Sequence, residues 1–220
     1  FAEPAGVKIM EGLDESDKEA YVGVDVSMEY AQMNTMHSND EFSLINLRYL
    51  TQENSEPRRL LSYAEQQLIL AEAHVRGWIS EGTAKDYYED GVKAALSHML
   101  EVSTDFAHGN PIDETYIDNY FTEEAAFVEN TEDQLEQIWM QRYILNFLMD
   151  GNTSFFEYRR NQYPEFPVDP ATSLNENNRN GLPLRWLYPG SEATYNRGNL
   201  EAALQRQFDG FDEINKKIWL

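Results

Sequence analysis

Cysteine is absent from the 220 residues, which removes disulfides, thiolate nucleophiles and thiolate metal ligands together. Positive charge is scarce: 17 Lys and Arg stand against 39 Asp and Glu, a formal net charge of −22 at pH 7. Binding a nucleic-acid backbone depends on releasing counterions to cationic side chains, so this balance argues against a nucleic-acid partner and against attraction to anionic lipid heads. Long hydrophobic runs are missing as well. The longest nearly apolar stretch, Tyr143 to Met149, is broken by Asn146 and falls far short of the roughly 20 residues a membrane span needs. The start, Phe1-Ala2-Glu3-Pro4, has neither an initiator Met nor a basic and then apolar leader, which reads as a processed chain or a fragment whose targeting signal lies elsewhere.

The usual catalytic and cofactor motifs are missing too. His37, His74, His98 and His108 never fall into a His-Glu-x-x-His arrangement or any other zinc-ligand spacing. No Gly-x-x-x-x-Gly-Lys, Gly-x-Gly-x-x-Gly or Gly-x-Ser-x-Gly occurs, so nucleotide cradles and the hydrolase elbow have no support. Asp14 and Asp17 lack the glycine and distal glutamate of a calcium loop and read as solvated charge. Two carboxylates for glycoside hydrolysis can always be picked from so many acids, so such a pick has no specificity. The expectation is no metal, no cofactor and no catalytic residue.

What is present is enough to fold. Hydrophobic residues make up 41% of the chain and aromatics 13%, far above a disordered acidic tail, and the length allows one large domain or two small ones. Residues 1–57 read as a loop-rich lead-in with extended candidates at Tyr21 to Met28 and Phe42 to Leu50. Residues 58–160 read as helical. Ser62-Tyr63-Ala64-Glu65 fits a capping box that opens a helix, Ala64, Leu68, Ala71 and Val75 form its apolar stripe, and Gly77 can end it. A second helix from near Thr83 to Leu100 puts Ala84, Tyr88, Val92, Ala95, Leu96 and Met99 on one face. Two helices joined by so short a link pack antiparallel, and Ala84, Tyr88 and Gly91 have the small, large, small spacing of tetratricopeptide hairpins, although no second copy occurs at a 34-residue period. A shorter helix follows over Asp113 to Phe121, then an acidic solvated segment with Glu123, Glu124, Glu129, Glu132 and Asp133. Thr131 and Gln134 form another capping box, opening a long helix through Ile138, Tyr143, Leu145 and Leu148 that Gly151 can close. Thr153 to Arg160 adds one more turn or two.

Residues 161–220 read as loop-rich with a terminal helix, Asn199 to Phe208. Pro164, Pro167, Pro170, Pro183 and Pro189 sit there among many Asn and Gly, with large aromatics between them. Tyr163, Phe166, Trp186, Tyr188 and Tyr195 either pin these loops or form a binding surface. Aromatic faces beside amides suit a sugar, whose C–H surface stacks while its hydroxyls hydrogen-bond, which makes Trp186, Tyr188 and Tyr163 the candidate ligand-binding residues. Arg159-Arg160 can bind an anion or pair with this chain's carboxylates, and the second reading is favoured. Ile218, Trp219 and Leu220 look like packing anchors for the terminus.

Several segments together resemble the SusD/RagB outer-membrane lipoproteins of Bacteroidetes. Ser62-Tyr63-Ala64-Glu65 leading into Leu70-Ala71-Glu72-Ala73 and Arg76-Gly77-Trp78 is similar to the family's "YAE…LAEA…RGW" helix, followed by Tyr87-Tyr88-Glu89-Asp90-Gly91-Val92. Gln137-Ile138-Trp139-Met140-Gln141-Arg142-Tyr143 and Glu157-Tyr158-Arg159-Arg160-Asn161-Gln162-Tyr163-Pro164 resemble its "I…QKY" helix and "E.RRTGYP" segment. Lys217-Ile218-Trp219-Leu220 is similar to its closing Lys-x-Trp-Trp, departing at Leu220. The likeness runs from about Phe42 to the end. It implies a mainly α protein with a SusD-like fold, tetratricopeptide-like helical hairpins and a loop-rich C-terminal region, of which residues 1–220 would be the C-terminal part of a single domain. It further implies a surface-exposed nutrient-binding protein of the cell outer membrane, touching the membrane only through a lipid anchor outside this chain. Such a protein hands a glycan, oligosaccharide or peptide to a SusC-like TonB-dependent transporter, without catalysis. The matching segments are scaffold, so they transfer no ligand contacts. A helical protein-protein interaction module and a glycosidase remain the alternatives from other classes.

Overall fold

The chain, seen in a computed structural model, is described over residues 1–53, 55, 60–102, 104–122 and 125–217. Among the described residues it is helical, with one isolated antiparallel bridge between Ala2 and Ile45 and no strand. Contacts divide it into two compact units, one from Phe1–Val24 and Met36–Phe166, the other from Asp25–Thr35 and the residues from Pro167 onward. No helix among the described residues is long and apolar enough to cross a membrane.

The lead-in carries helices where the sequence suggested loop or extended chain: α1 (Gly6–Met10), α2 (Tyr30–Ser38) and α3 (Leu47–Thr51). Neither extended candidate is a strand. Val22 and Ser43 exchange two hydrogen bonds of 2.9 and 3.0 Å, and the rest of Phe42 to Leu50 passes into α3. Helices of five residues are too short to show periodicity or to stand alone, so tertiary contacts decide them. Asn46 caps α3 by accepting from the Arg48 N–H and donates to the Phe106 carbonyl, which explains the burial of so polar a residue.

The centre of the first unit is the hairpin of α4 (Tyr63–Val75) and α5 (Ala84–Ser97). Ser62 Oγ accepts from the Glu65 N–H at 3.1 Å, the serine half of the expected box, while the Glu65 carboxylate sits 3.6 Å from Arg142. The helix stops as expected at Gly77, φ +71°, with Gly77 N–H bonded to the His74 carbonyl and Trp78 N–H to that of Ala73. Thr83 caps α5 at 3.0 Å. A Cβ at Gly91 would lie 3.0 Å from both the Ala64 carbonyl oxygen and Leu68 Cγ, so glycine is what lets the middle of α5 cross the early part of α4. Leu68, Ala71, Tyr88, Val92 and Ile138 form the buried core, each large side chain contributing about 1.5–3 kcal/mol.

Asp113 caps α6 (Glu114–Asn119), which tightens into a 3-10 turn over Tyr120–Thr122. The next helix, α7 (Thr131–Asn146), is capped by Asn130, one residue before the expected Thr131, because the Asn130 side chain accepts from Glu132 N–H while Gln134 turns back to the Val128 carbonyl. It also stops before Gly151. Leu148 takes the left-handed turn itself at φ +62°, and Asp150 then caps a separate α8 (Gly151–Asn161), longer than the one or two turns anticipated. Tyr163-Pro164 is cis. Phe166 packs between Tyr143 and Tyr158, at 5.8 and 5.4 Å.

In the second unit the loops are held by buried polar side chains as well as by α9 (Gly190–Tyr195) and α10 (Arg197–Phe208). Helix α10 begins two residues earlier than Asn199. Arg185 lies 4.1 Å over the Phe208 ring and pairs with Asp212 at 2.6 Å, and Leu184 and Arg185 both donate to the Ile214 carbonyl. Asn175 and Asn215 exchange side-chain hydrogen bonds, and Thr172 Oγ1 donates to the Ser27 carbonyl. Glu123, Glu124 and the proposed anchors Ile218, Trp219 and Leu220 lie outside the described residues.

Candidate functional site

The family-like segments converge in space on one cluster of charge. Glu72 on α4 is buried and takes the fork of Arg160 on α8 at 2.6 and 2.8 Å, while Arg76, one turn on, donates from Nε at 2.8 Å. Arg142 on α7 is also buried and reaches Glu157 on α8 at 3.0 Å, with Glu72 and Glu65 both at 3.6 Å. Arg160 closes the ring on Glu157 at 2.7 Å. Three guanidiniums thus meet three carboxylates, so formal charge cancels inside the cluster. Burial alone would raise the Glu72 carboxyl, but hydrogen bonds from Arg160 and Arg76, with the Arg160 charge, hold it down at about 2. The same pairing raises Arg160. A carboxyl held this acidic does not lend a proton near neutral pH, and its ion pairs clasp α4, α7 and α8 together.

The reading of Arg159-Arg160 as carboxylate-paired holds for Arg160. Arg159 instead lies over the rings of Phe155 and Phe156, at 5.6 and 5.8 Å. Arg76 stacks over Trp78 and Trp139, and Trp139 faces Tyr163 at 6.0 Å, so Tyr163 sits in the first unit beside the clasp. Trp186 and Tyr188 belong to the second unit. Trp186 is 62% exposed. Tyr188 is tied down: its Oη meets Gln207 Oε1 at 3.2 Å, its N–H donates to Asp212, and Arg185 lies over its ring at 5.3 Å.

Within the first unit, Tyr163 also lines an open cleft of about 780 Å³ bounded by α6, the turn after it and α7. Tyr116 and Tyr120 stand one helical turn apart along one wall with ring centres 5.8 Å apart, and Gln141 donates to Tyr120 Oη at 3.4 Å. Glu136 and Lys18 line the same space. Gln137 fixes the opposite rim by bonding the Ala126 carbonyl at 2.9 Å and the Val128 N–H at 3.3 Å. Desolvation raises the phenols of Tyr116 and Tyr163, with Tyr120 and Glu136 adding respectively, so both stay neutral donors. Sequence reasoning passed over this wall. The signal was there, in tyrosines four apart at 116 and 120 and in Gln134, Gln137 and Gln141 along one face of α7.

Comparison with known proteins accounts for these segments. A family described as starch-binding proteins associating with the outer membrane, SusD-like, matches residues 4–189. Two solved SusD homologues from Bacteroides fragilis superpose over 100% of the chain, one at 38% identity and TM-score 0.91, the other at 36% and 0.84. A chitin-binding protein matches 72% of the chain at 33% identity and TM-score 0.58, which is 32% of its own length. The chain spans about half of the two homologues, 47% and 46%. No curated protein matches it.

Proposed function

The chain belongs to the SusD/RagB family, and from that premise we propose that it is the C-terminal part of a single SusD-like domain in a surface nutrient-binding protein. The ligand is a glycan or oligosaccharide, handed to a SusC-type TonB-dependent transporter. The protein is held at the outer membrane by a lipid anchor outside the chain. The observation that carries this is the match of residues 4–189 to a starch-binding, outer-membrane-associated family, and the likeness to a chitin-binding protein at 33% identity favours a sugar over a peptide.

The protein captures and does not cleave. Trp186, Tyr188 and Tyr163 are the proposed contacts, Trp186 offering the most exposed face and Tyr188 a ring oriented by Arg185. The test is calorimetry with a panel of neutral and charged glycans and short peptides, with Trp186→Ala alongside. A saccharide isotherm weakened in the variant supports capture at this loop. Release of reducing ends from any glycan would sink the binding-only reading, and peptide binding without saccharide binding would make this a peptide-capturing member of the family.

A further inference from the structure

We propose that the cleft between α6 and α7, within the first unit, is a binding site for neutral glycosyl residues; this rests on the nutrient-binding reading. Its volume, about 780 Å³, falls within the range of small-molecule clefts. Its lining joins two kinds of chemistry. Tyr116, Tyr120 and Tyr163 supply flat faces, Tyr116 being 45% exposed, and a sugar ring presents a C–H face to such surfaces. Gln141, Glu136 and Lys18 supply side-chain donors and acceptors, and neither Glu136 nor Lys18 forms an ion pair among the described residues.

That combination fits a polyhydroxylated ligand better than a peptide. An extended peptide needs an open strand edge for its amides; here α6 and α7 bond their backbone groups internally, and on the non-helical rim the Ala126 carbonyl and the Val128 N–H are taken by Gln137. A helical peptide needs an apolar groove, whereas this one carries carboxylates and amides between its rings. The charge selects further. Glu136 and Asp133 outnumber Lys18 along the cleft, on a chain of net charge −22, so uronic or sulfated sugars meet repulsion both at the site and at long range.

Calorimetry of the protein with neutral gluco- and N-acetylgluco-oligosaccharides, and with an oligogalacturonate, reads the proposal directly, alongside Tyr116→Ala and Glu136→Gln. Thermal melting of each variant confirms that it folds. The expectation is that neutral oligosaccharides bind, that Tyr116→Ala weakens them at least about tenfold, and that Glu136→Gln narrows the preference for neutral over anionic sugar. Neutral binding left unchanged by both variants overturns the cleft while leaving the nutrient-binding reading standing. Tighter binding of oligogalacturonate than of neutral sugars overturns the selectivity. A peptide displaced by Tyr116→Ala, with no sugar bound, overturns the ligand class, and silence toward sugars and peptides alike sinks both readings.

Discussion

Replacing Glu72 by Gln should destabilise the protein by about 3 kcal/mol near neutral pH, with most of that loss absent near pH 2. The magnitude comes from the clasp. The gap between an ordinary glutamate at 4.5 and the folded value of about 2 corresponds to roughly 3 kcal/mol of stabilisation of the ionised form. Because the folded carboxyl is the more acidic, this stability is fully present above pH 4.5 and drains away as pH falls toward 2. Removing the charge also strands Arg160 and Arg76 beside a neutral amide. Breaking one partner from a buried pair costs about 3–5 kcal/mol. Arg160 keeps Glu157 at 2.7 Å and is partly solvated, which puts the expectation at the lower end. For a chain of this length each kcal/mol lowers Tm by about 2–4 °C, so the variant should melt roughly 6–12 °C below the parent at pH 7. Urea unfolding between pH 2 and 7 measures both quantities, since the Gln variant should show a flatter pH profile than the parent between 4.5 and 2. A loss below about 1 kcal/mol at pH 7, or identical pH profiles, would refute the assignment of Glu72 as the centre of the clasp.

Other outcomes follow from local geometry. Gly91→Ala should lower stability by about 1–2 kcal/mol in urea titrations, because the 3.0 Å approach to a backbone oxygen outweighs the helix-propensity gain of about 1 kcal/mol. Asp150→Ala should cost about 1 kcal/mol by uncapping α8, whose Asn152 and Thr153 N–H groups it accepts; an Asp150→Asn variant should recover most of this. Ile138→Ala, emptying a fully buried position between α4, α5 and α7, should lose about 2–5 kcal/mol.

The hairpin was legible from the chain alone because its determinants are local. Ser62, Thr83 and Gly77 act within one helical turn of themselves, and the stripe Ala64, Leu68 and Ala71 with the small site Gly91 records a neighbour in its own spacing. The family-like segments were legible for the same reason, as runs of scaffold residues in order. The break between α7 and α8 was not. Leu148 accepts a left-handed conformation that local preference assigns to Gly151, so the residue type gives no sign of the turn there. The charges behaved similarly: Glu72 looked like one acid among many, and its partner Arg160 lies 88 residues away.

Sequence by itself determined the helical class, the hairpin with its Ser62 and Thr83 caps, and the family likeness, since each is written in residues close to one another in the chain. The tertiary structure decided which of the 39 acids is held ionised inside the protein and which aromatics serve as anchors. It also brought Tyr116, Tyr120 and Tyr163 around one cleft. Those outcomes depend on desolvation and on distances between residues far apart in the chain, and no local pattern of side chains carries either quantity.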